Sequence, residues 1–172
     1  MKLLTTIGTP DQSITYTDRH TVKIVIANNK NILILNDGLL PGGGINNGET
    51  DKQAIKRELL EELGARVNNI QPIGTVIQYR DFLKKRYIIY GYTANLLSLN
   101  DVSEPQDKGE EHFVLRWLTT DGALNTISTA IKLYKNIDFT NDNQQGKLYN
   151  LLLAYALIDA AMGFSSKFVI HQ

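Results

Sequence analysis

The sequence contains no cysteine, which excludes disulfide bonds, thiolate metal sites, iron–sulfur clusters and cysteine nucleophiles. A cysteine-free chain fits a reducing compartment, so we expect a cytoplasmic protein. The first residues have one lysine before a short apolar run, and they do not form a signal-peptide pattern. The longest apolar run, residues 151–158, is too short to cross a membrane, and we expect no membrane partner.

An excess of charge of one sign is also absent, because 18 Lys and Arg residues balance 18 Asp and Glu residues. Without a basic field, the chain is not expected to bind a nucleic acid polymer. The hydrophobic share of 42% in 172 residues is enough for one core. We expect a single domain over residues 1–172, with a core at about 21–124 and a C-terminal helical segment at about 125–172.

Apolar patterns bounded by turn residues predict a series of strands and helices. Residues 1–18 are polar and are expected only to lead into the fold. The predicted strands are residues 21–27, 32–35, 67–79, 86–97 and 113–118. Helices are predicted at about 50–64, 122–134 and 147–162. Strands interleaved with few helices indicate a mixed α+β fold and not a regular series of parallel units.

The helix at about 50–64 has clear signals at both ends. Thr50 is a favourable N-cap residue, and Gln53 three positions later completes a capping box. Gly64 is a favourable residue for ending the helix. Three consecutive glycines, residues 42–44, precede it and form a loop that side chains would obstruct.

Three glutamates fall on one face of this helix. At 100° per residue, Glu61 and Glu62 lie within about 60° of Glu58 on either side. The apolar stripe beside them is predicted to contain Ile55, Leu59, Leu60 and Leu63. Such carboxylates repel one another, and raised pKa values, cationic side chains or a bound metal can compensate. Their hard oxygen atoms suit Mg²⁺ or Mn²⁺, whereas the alternative is a solvated acidic face.

The spacing around these glutamates carries a more specific signal. The pattern is Gly43, five residues, Glu49, seven residues, Arg57-Glu58-Leu59, one residue, Glu61-Glu62, one residue, Gly64. Seven matched polar or glycine positions have chance odds of about 10⁻⁸ per starting point. The pattern resembles the signature of the Nudix hydrolase family.

This resemblance implies a fold and an activity. The implied fold is an α/β/α sandwich in which a mixed sheet lies between helices. The implied activity is metal-dependent hydrolysis of a nucleoside diphosphate linked to another moiety, a small-molecule nucleotide substrate. Two substrate classes fit that activity: an oxidised or ordinary nucleoside triphosphate, or, as the alternative, ADP-ribose or a nucleotide sugar. A nucleotide-binding regulatory domain without catalysis is the alternative of another class, and a homodimer is left open.

The resemblance also implies roles for the signature residues. Glu58, Glu61 and Glu62 would hold Mg²⁺ or Mn²⁺, together with the backbone carbonyl of Gly42. Arg57 would orient the acidic side chains without touching substrate. Glu49 would not bind the metal directly but would help to position the residues that do.

The general base is not assigned by the signature alone. Family members use either a glutamate of the signature helix or one from a later loop. Glu110 and Glu111, in the acidic loop before the strand at 113–118, are the candidates for a base or a further metal ligand. A solvated acidic loop is the alternative. The basic residues Arg80, Lys84, Lys85 and Arg86 are expected to form a solvated hairpin tip, with a phosphate or partner contact as the alternative.

Overall fold

The computed structural model describes residues 1–99, 113–134, 137 and 139–163. The strands are β1 Leu3–Ile7, β2 Thr17–Asn28, β3 Asn31–Leu35, β4 Ala65–Arg80, β5 Lys85–Leu99 and β6 Leu115–Thr119. The helices are α1 Asp51–Leu63, α2 Thr120–Lys132 and α3 Asp142–Ala161, and a 3₁₀ turn at Asp81–Leu83 joins β4 to β5.

The strands form one mixed sheet in the order β1-β4-β5-β2-β3-β6. The pairs β1/β4 and β2/β5 are parallel, and the other neighbours are antiparallel. The central parallel pair brings β2 beside β5 over most of its length, from Thr17 opposite Lys85 to Ala27 opposite Asn95. The predicted mixed α+β fold is therefore confirmed.

Helices cover both faces of the sheet, because side chains alternate along each strand. On β3, Leu33 and Leu35 pack in a cluster with α1, whereas Ile32 and Ile34 pack in a cluster with α2 and α3. The residues of α1 that contact the sheet are Ala54, Ile55, Leu59 and Leu63. The result is the predicted arrangement of a sheet between helical layers.

Helix α1 begins and ends as its sequence predicts. The Thr50 hydroxyl accepts the backbone N–H of Gln53, and the Gln53 side chain accepts the backbone N–H of Thr50 at 2.9 Å. Gly64 ends the helix with a φ of 59°, a left-handed conformation that glycine adopts without a Cβ clash. Because both ends are fixed, the register of the three glutamates is fixed as well.

Two features of the packing differ from what the sequence indicated. Residues 1–18 lead into the fold and also contribute an edge strand, since β1 pairs parallel with β4. Leu4 packs where Gly74 lacks a side chain. Leu60 was expected in the apolar stripe of α1 but is 51% exposed, because it lies at the margin of the buried arc.

Helix α3 is longer than predicted and begins five residues earlier. The Asn141 side chain accepts the backbone N–H of Gln144 at 3.1 Å and so caps the new start. Gly146 lies inside the helix. A Cβ at Gly146 would overlap the Arg80 guanidinium, so glycine there permits close packing of α3 on β4.

Candidate metal and phosphate site

The glycine loop before α1 is fastened to strand β2. The backbone N–H of Val22 donates to the Gly43 carbonyl at 2.9 Å, and that of Ile24 donates to the Pro41 carbonyl at 3.1 Å. Gly42 has a φ of 115°, and a Cβ there would strike the Val22 carbonyl. Only glycine fits this close approach of two backbones, so the loop is held in one position beside β2.

Gly43 makes room for the Glu58 carboxylate. A Cβ at Gly43 would lie 2.6 Å from the Glu58 Cδ atom, well inside ordinary contact distance. The Glu58 side chain is only 14% exposed, so the carboxylate is packed against the loop. The glycine and the glutamate of the signature therefore fit one another in space.

Arg57 donates hydrogen bonds to three glutamates of the cluster and so connects them. Its Nε and Nη2 atoms donate to the two carboxylate oxygens of Glu49 at 3.0 and 2.9 Å. Its Nη1 atom donates to Glu58 at 2.8 Å and to Glu61 at 3.0 Å. Nη2 also donates to the Gly44 carbonyl at 2.8 Å. A planar guanidinium can make all of these contacts at once, which a lysine ammonium cannot.

These contacts shift the ionisation of both partners. The hydrogen bonds from Arg57 hold the pKa of the Glu49 carboxyl below its usual value, and the N–H of Asn46 contributes in the same direction. Glu49 in turn raises the pKa of Arg57, with smaller contributions from Glu58 and Glu61. Both pKa shifts favour the charged forms of Glu49 and Arg57 at neutral pH.

Glu62 and Lys23 meet at Gly42. The backbone N–H of Gly42 donates to Glu62 Oε2 at 2.8 Å. The Lys23 ammonium donates to the Leu40 carbonyl at 3.0 Å and also to the Gly42 carbonyl. Burial lowers the pKa of Lys23, and the negative charges of Glu62 and Glu58 oppose that lowering.

The donor set is compatible in kind with a divalent cation. Glu58, Glu61, Glu62 and the Gly42 carbonyl supply hard oxygen atoms from one helix and one rigid loop. The recess at Gly43, which a Cβ would fill, leaves space for the Glu58 carboxylate beside that loop. Among the described residues, no three acidic or histidine side chains are already gathered as a metal cage. The carboxylates instead contact Arg57 and the Gly42 N–H.

A cleft opens beside Lys23 and Glu62. Its cavity volume is about 60 Å³, well below the roughly 300–1,000 Å³ of pockets that enclose a small-molecule ligand, so it is a shallow recess. Phe113, two residues before β6, and Asn150, on α3, also line it, together with Leu39. The charged cluster thus borders a pocket that contains an aromatic ring and an amide.

The structure brings together the signature residues and adds one that the sequence reasoning missed. Arg57, Glu49, Glu58, Glu61 and Glu62 all lie in one connected cluster with the glycine loop. Glu110 and Glu111 lie outside the described residues.

The missed residue is Lys23. Its signal was a single charged side chain within an otherwise apolar strand, Thr21-Val22-Lys23-Ile24-Val25. A half-buried lysine requires acceptors or counter-charges, but the sequence does not show which segments supply them.

The basic hairpin tip is not uniformly solvated. Arg80 is only 8% exposed, and its Nε atom donates to Asp142 Oδ1 at 2.7 Å. Arg86 forms a more exposed pair with Asp18. The expectation of a solvated tip is therefore wrong for Arg80, because α3 packs over the end of β4.

Comparison with known proteins identifies the family. A family model described as NUDIX domain matches residues 17–137, more than two thirds of the chain. The chain therefore belongs to the Nudix family, as the signature predicted, and this membership supports a hydrolase. A search of curated proteins found no significant match.

Solved structures share the fold at low sequence identity. A MutT NUDIX hydrolase from Burkholderia pseudomallei has 21% identity and a TM-score of 0.52, over 62% of this chain and 86% of its own. A NUDIX hydrolase from Nitrosomonas europaea has 19% identity and a TM-score of 0.55, over 77% of this chain and 88% of its own. A UDP-X diphosphatase has 18% identity and a TM-score of 0.51, over 88% of this chain and 66% of its own.

Proposed function

We propose that the protein is a metal-dependent pyrophosphohydrolase that cleaves a nucleoside diphosphate linked to another moiety. The observation that carries this proposal is the complete carboxylate set of α1, held by Arg57 against the glycine loop. Family membership supports the same reaction class. We also propose that the whole chain acts as one domain, because α3 packs on the same sheet as the signature helix.

Each residue has a distinct proposed role. Glu58, Glu61, Glu62 and the Gly42 carbonyl would hold Mg²⁺ or Mn²⁺. The ion would supply neutralisation of the diphosphate oxygens and Lewis-acid activation of water.

Arg57 and Glu49 would act through the metal-holding residues. Arg57 fixes the Glu58 and Glu61 carboxylates by direct hydrogen bonds, which prevents them from turning away from the site. Glu49 fixes Arg57 by accepting two of its N–H groups. We propose both as positioning residues.

The reaction needs one proton acceptor. As the oxygen of water forms its bond to phosphorus and the bridging P–O bond breaks, the water proton passes to a carboxylate. That carboxylate belongs either to α1 or to the acidic loop that contains Glu110 and Glu111. The two glutamates of the loop remain candidates for the base or for a further metal ligand.

The leaving moiety is the least specified part of the proposal. A nucleoside triphosphate, oxidised or ordinary, is the first candidate that we propose. A nucleotide sugar or ADP-ribose is the alternative, supported by the likeness to a UDP-X diphosphatase. Phe113 and Asn150 in the cleft would offer a stacking surface and an amide to a base in either case.

A nucleotide-binding regulatory domain is the candidate of another class. All the signature glutamates are present in this chain, which favours catalysis. The cytoplasmic location and a homodimer stay predictions. No helix in the described part of the chain is long and apolar enough to cross a membrane.

A substrate panel tests the proposal. Phosphate or pyrophosphate release would be measured with Mg²⁺, with Mn²⁺ and with EDTA, and with added phosphatase where products end in a monophosphate. The panel contains nucleoside triphosphates, oxidised dGTP, ADP-ribose, NADH, nucleotide sugars and dinucleoside polyphosphates. We expect cleavage of one class well above the others, and only with metal. Silence across the panel, with folded protein and saturating metal, would favour the binding domain.

A further inference from the structure

Lys23 places its ammonium group against two carbonyl groups of the glycine loop. Its ammonium donates to the carbonyls of Leu40 and Gly42, seventeen and nineteen positions further along the chain. Its neighbours in β2, Val22 and Ile24, are hydrogen-bonded to the same loop. The half-buried lysine is therefore held in place by contacts with the loop backbone.

The surroundings of Lys23 explain why a charge is tolerated there. An ammonium removed from water needs acceptors and opposite charges to offset its lost hydration. Two carbonyl oxygens supply the acceptors, and the carboxylates of Glu62 and Glu58 are close enough to act on it electrostatically. Lys23 thus lies near the negative charges of Glu62 and Glu58, while its hydrogen bonds go to the loop carbonyls.

The same atoms are those that a divalent cation would use. Gly42 offers its carbonyl to Lys23 and its N–H to Glu62, so the ammonium and the Glu62 carboxylate contact the two backbone polar groups of one residue. A second cation at the Gly42 carbonyl would experience direct repulsion from the ammonium. A divalent cation and the ammonium would therefore use the same carbonyl oxygen and the same nearby carboxylates.

We propose that Lys23 competes with the divalent cation for the Gly42 carbonyl and the Glu62 carboxylate, so that metal binding displaces the ammonium and Lys23 sets the metal affinity. This inference rests on the proposed function, because it assumes that the metal binds at this loop. It goes beyond it by assigning a residue outside the signature to the control of metal binding.

The test is a direct titration of the full-length protein with Mn²⁺, in which free Mn²⁺ is measured by electron paramagnetic resonance. Lys23→Met removes the charge while keeping a long unbranched side chain. We expect its Kd for Mn²⁺ to be lower than that of the wild type by about tenfold or more, because one repelling charge next to a ligand oxygen is gone. The Mn²⁺-induced rise in Tm should increase in parallel.

Three further variants make the result specific. Lys23→Gln removes the charge but keeps a hydrogen-bond donor, and it replaces Lys23→Met if that variant does not fold. Lys23→Arg keeps the charge and should retain an affinity near that of the wild type. Lys30→Met, in the exposed turn after β2, removes a distant charge and should leave the Kd unchanged.

The outcomes separate the inference from the proposed function. Tighter Mn²⁺ binding by the neutral Lys23 variants alone supports the competition. If the wild type binds Mn²⁺ and the neutral variants bind it equally or more weakly, the competition is refuted while the metal site stands. If neither the wild type nor any variant binds Mn²⁺, the competition and the proposed metal dependence are both refuted.

Discussion

Gly43→Ala separates the geometry of the site from the stability of the fold. A methyl group at this position would lie 2.6 Å from the Glu58 Cδ atom, where ordinary contact begins at 3.4 Å. The Glu58 carboxylate must therefore retreat by about 1 Å, and misplacement on this scale lowers turnover by about 10²-fold. Gly43 does not need a left-handed backbone, so alanine adds no strain of its own.

The assay compares kcat/KM for the best substrate of the panel with Tm in the same buffer. We expect kcat/KM to fall about 10²-fold in Gly43→Ala while Tm changes by only a few degrees. Gly44→Ala is the matched control, because its methyl group would lie 3.1 Å from the end of the flexible Arg19 side chain. It should retain most activity. Equal activity in the two variants would refute the assignment of Glu58 to the metal.

Other predictions concern the ion pairs, the helix cap and the acidic loop. Arg57 lowers the pKa of Glu49 in the folded state, so the wild type should be more stable than Glu49→Gln above about pH 4.5, and this difference should be lost as pH falls through the lowered pKa. Urea unfolding at several pH values would measure the difference in free energy of unfolding. An equal difference at all pH values would contradict the prediction. Thr50→Ala should lower the free energy of unfolding by about 1 kcal/mol in urea, since the Thr50 hydroxyl accepts a helix N–H; an unchanged value would contradict the cap. Glu110→Gln and Glu111→Gln should differ strongly from each other in kcat, and wild-type activity in both would place the base in α1.

Local signals in the sequence were enough to predict the signature helix. The cap at Thr50, the capping box with Gln53 and the end at Gly64 involve residues within a few positions of each other. The hairpin of β2 and β3 follows from a short turn between two apolar runs. Neighbours along the chain determine these features, so pattern and spacing suffice.

Contacts between distant segments could not be predicted. Lys23 bonds to the glycine loop, and Arg80 bonds to Asp142, 62 positions away. The pairing of β1 with β4 likewise depends on a register that no local pattern fixes. The spacing of the signature residues was enough to indicate the family. Lys23, which contacts the glycine loop of the signature, lies on β2 outside that pattern.

The position of the acidic residues illustrates both cases. That Glu58, Glu61 and Glu62 share a face follows from helical geometry alone. That Arg57 bridges Glu49, Glu58 and Glu61 depends on the loop turning back to the helix, which the structure shows and the spacing does not.

The most direct test of the central claim is turnover of the wild type and of Glu62→Gln, with Mg²⁺ and with EDTA. Glutamine can still accept the Gly42 N–H and barely changes helix propensity, so circular dichroism and Tm should match the wild type. We predict that the wild type cleaves its substrate only with metal and that Glu62→Gln loses turnover by orders of magnitude. Near-normal turnover in a folded Glu62→Gln protein, or full wild-type activity in EDTA, would contradict the account.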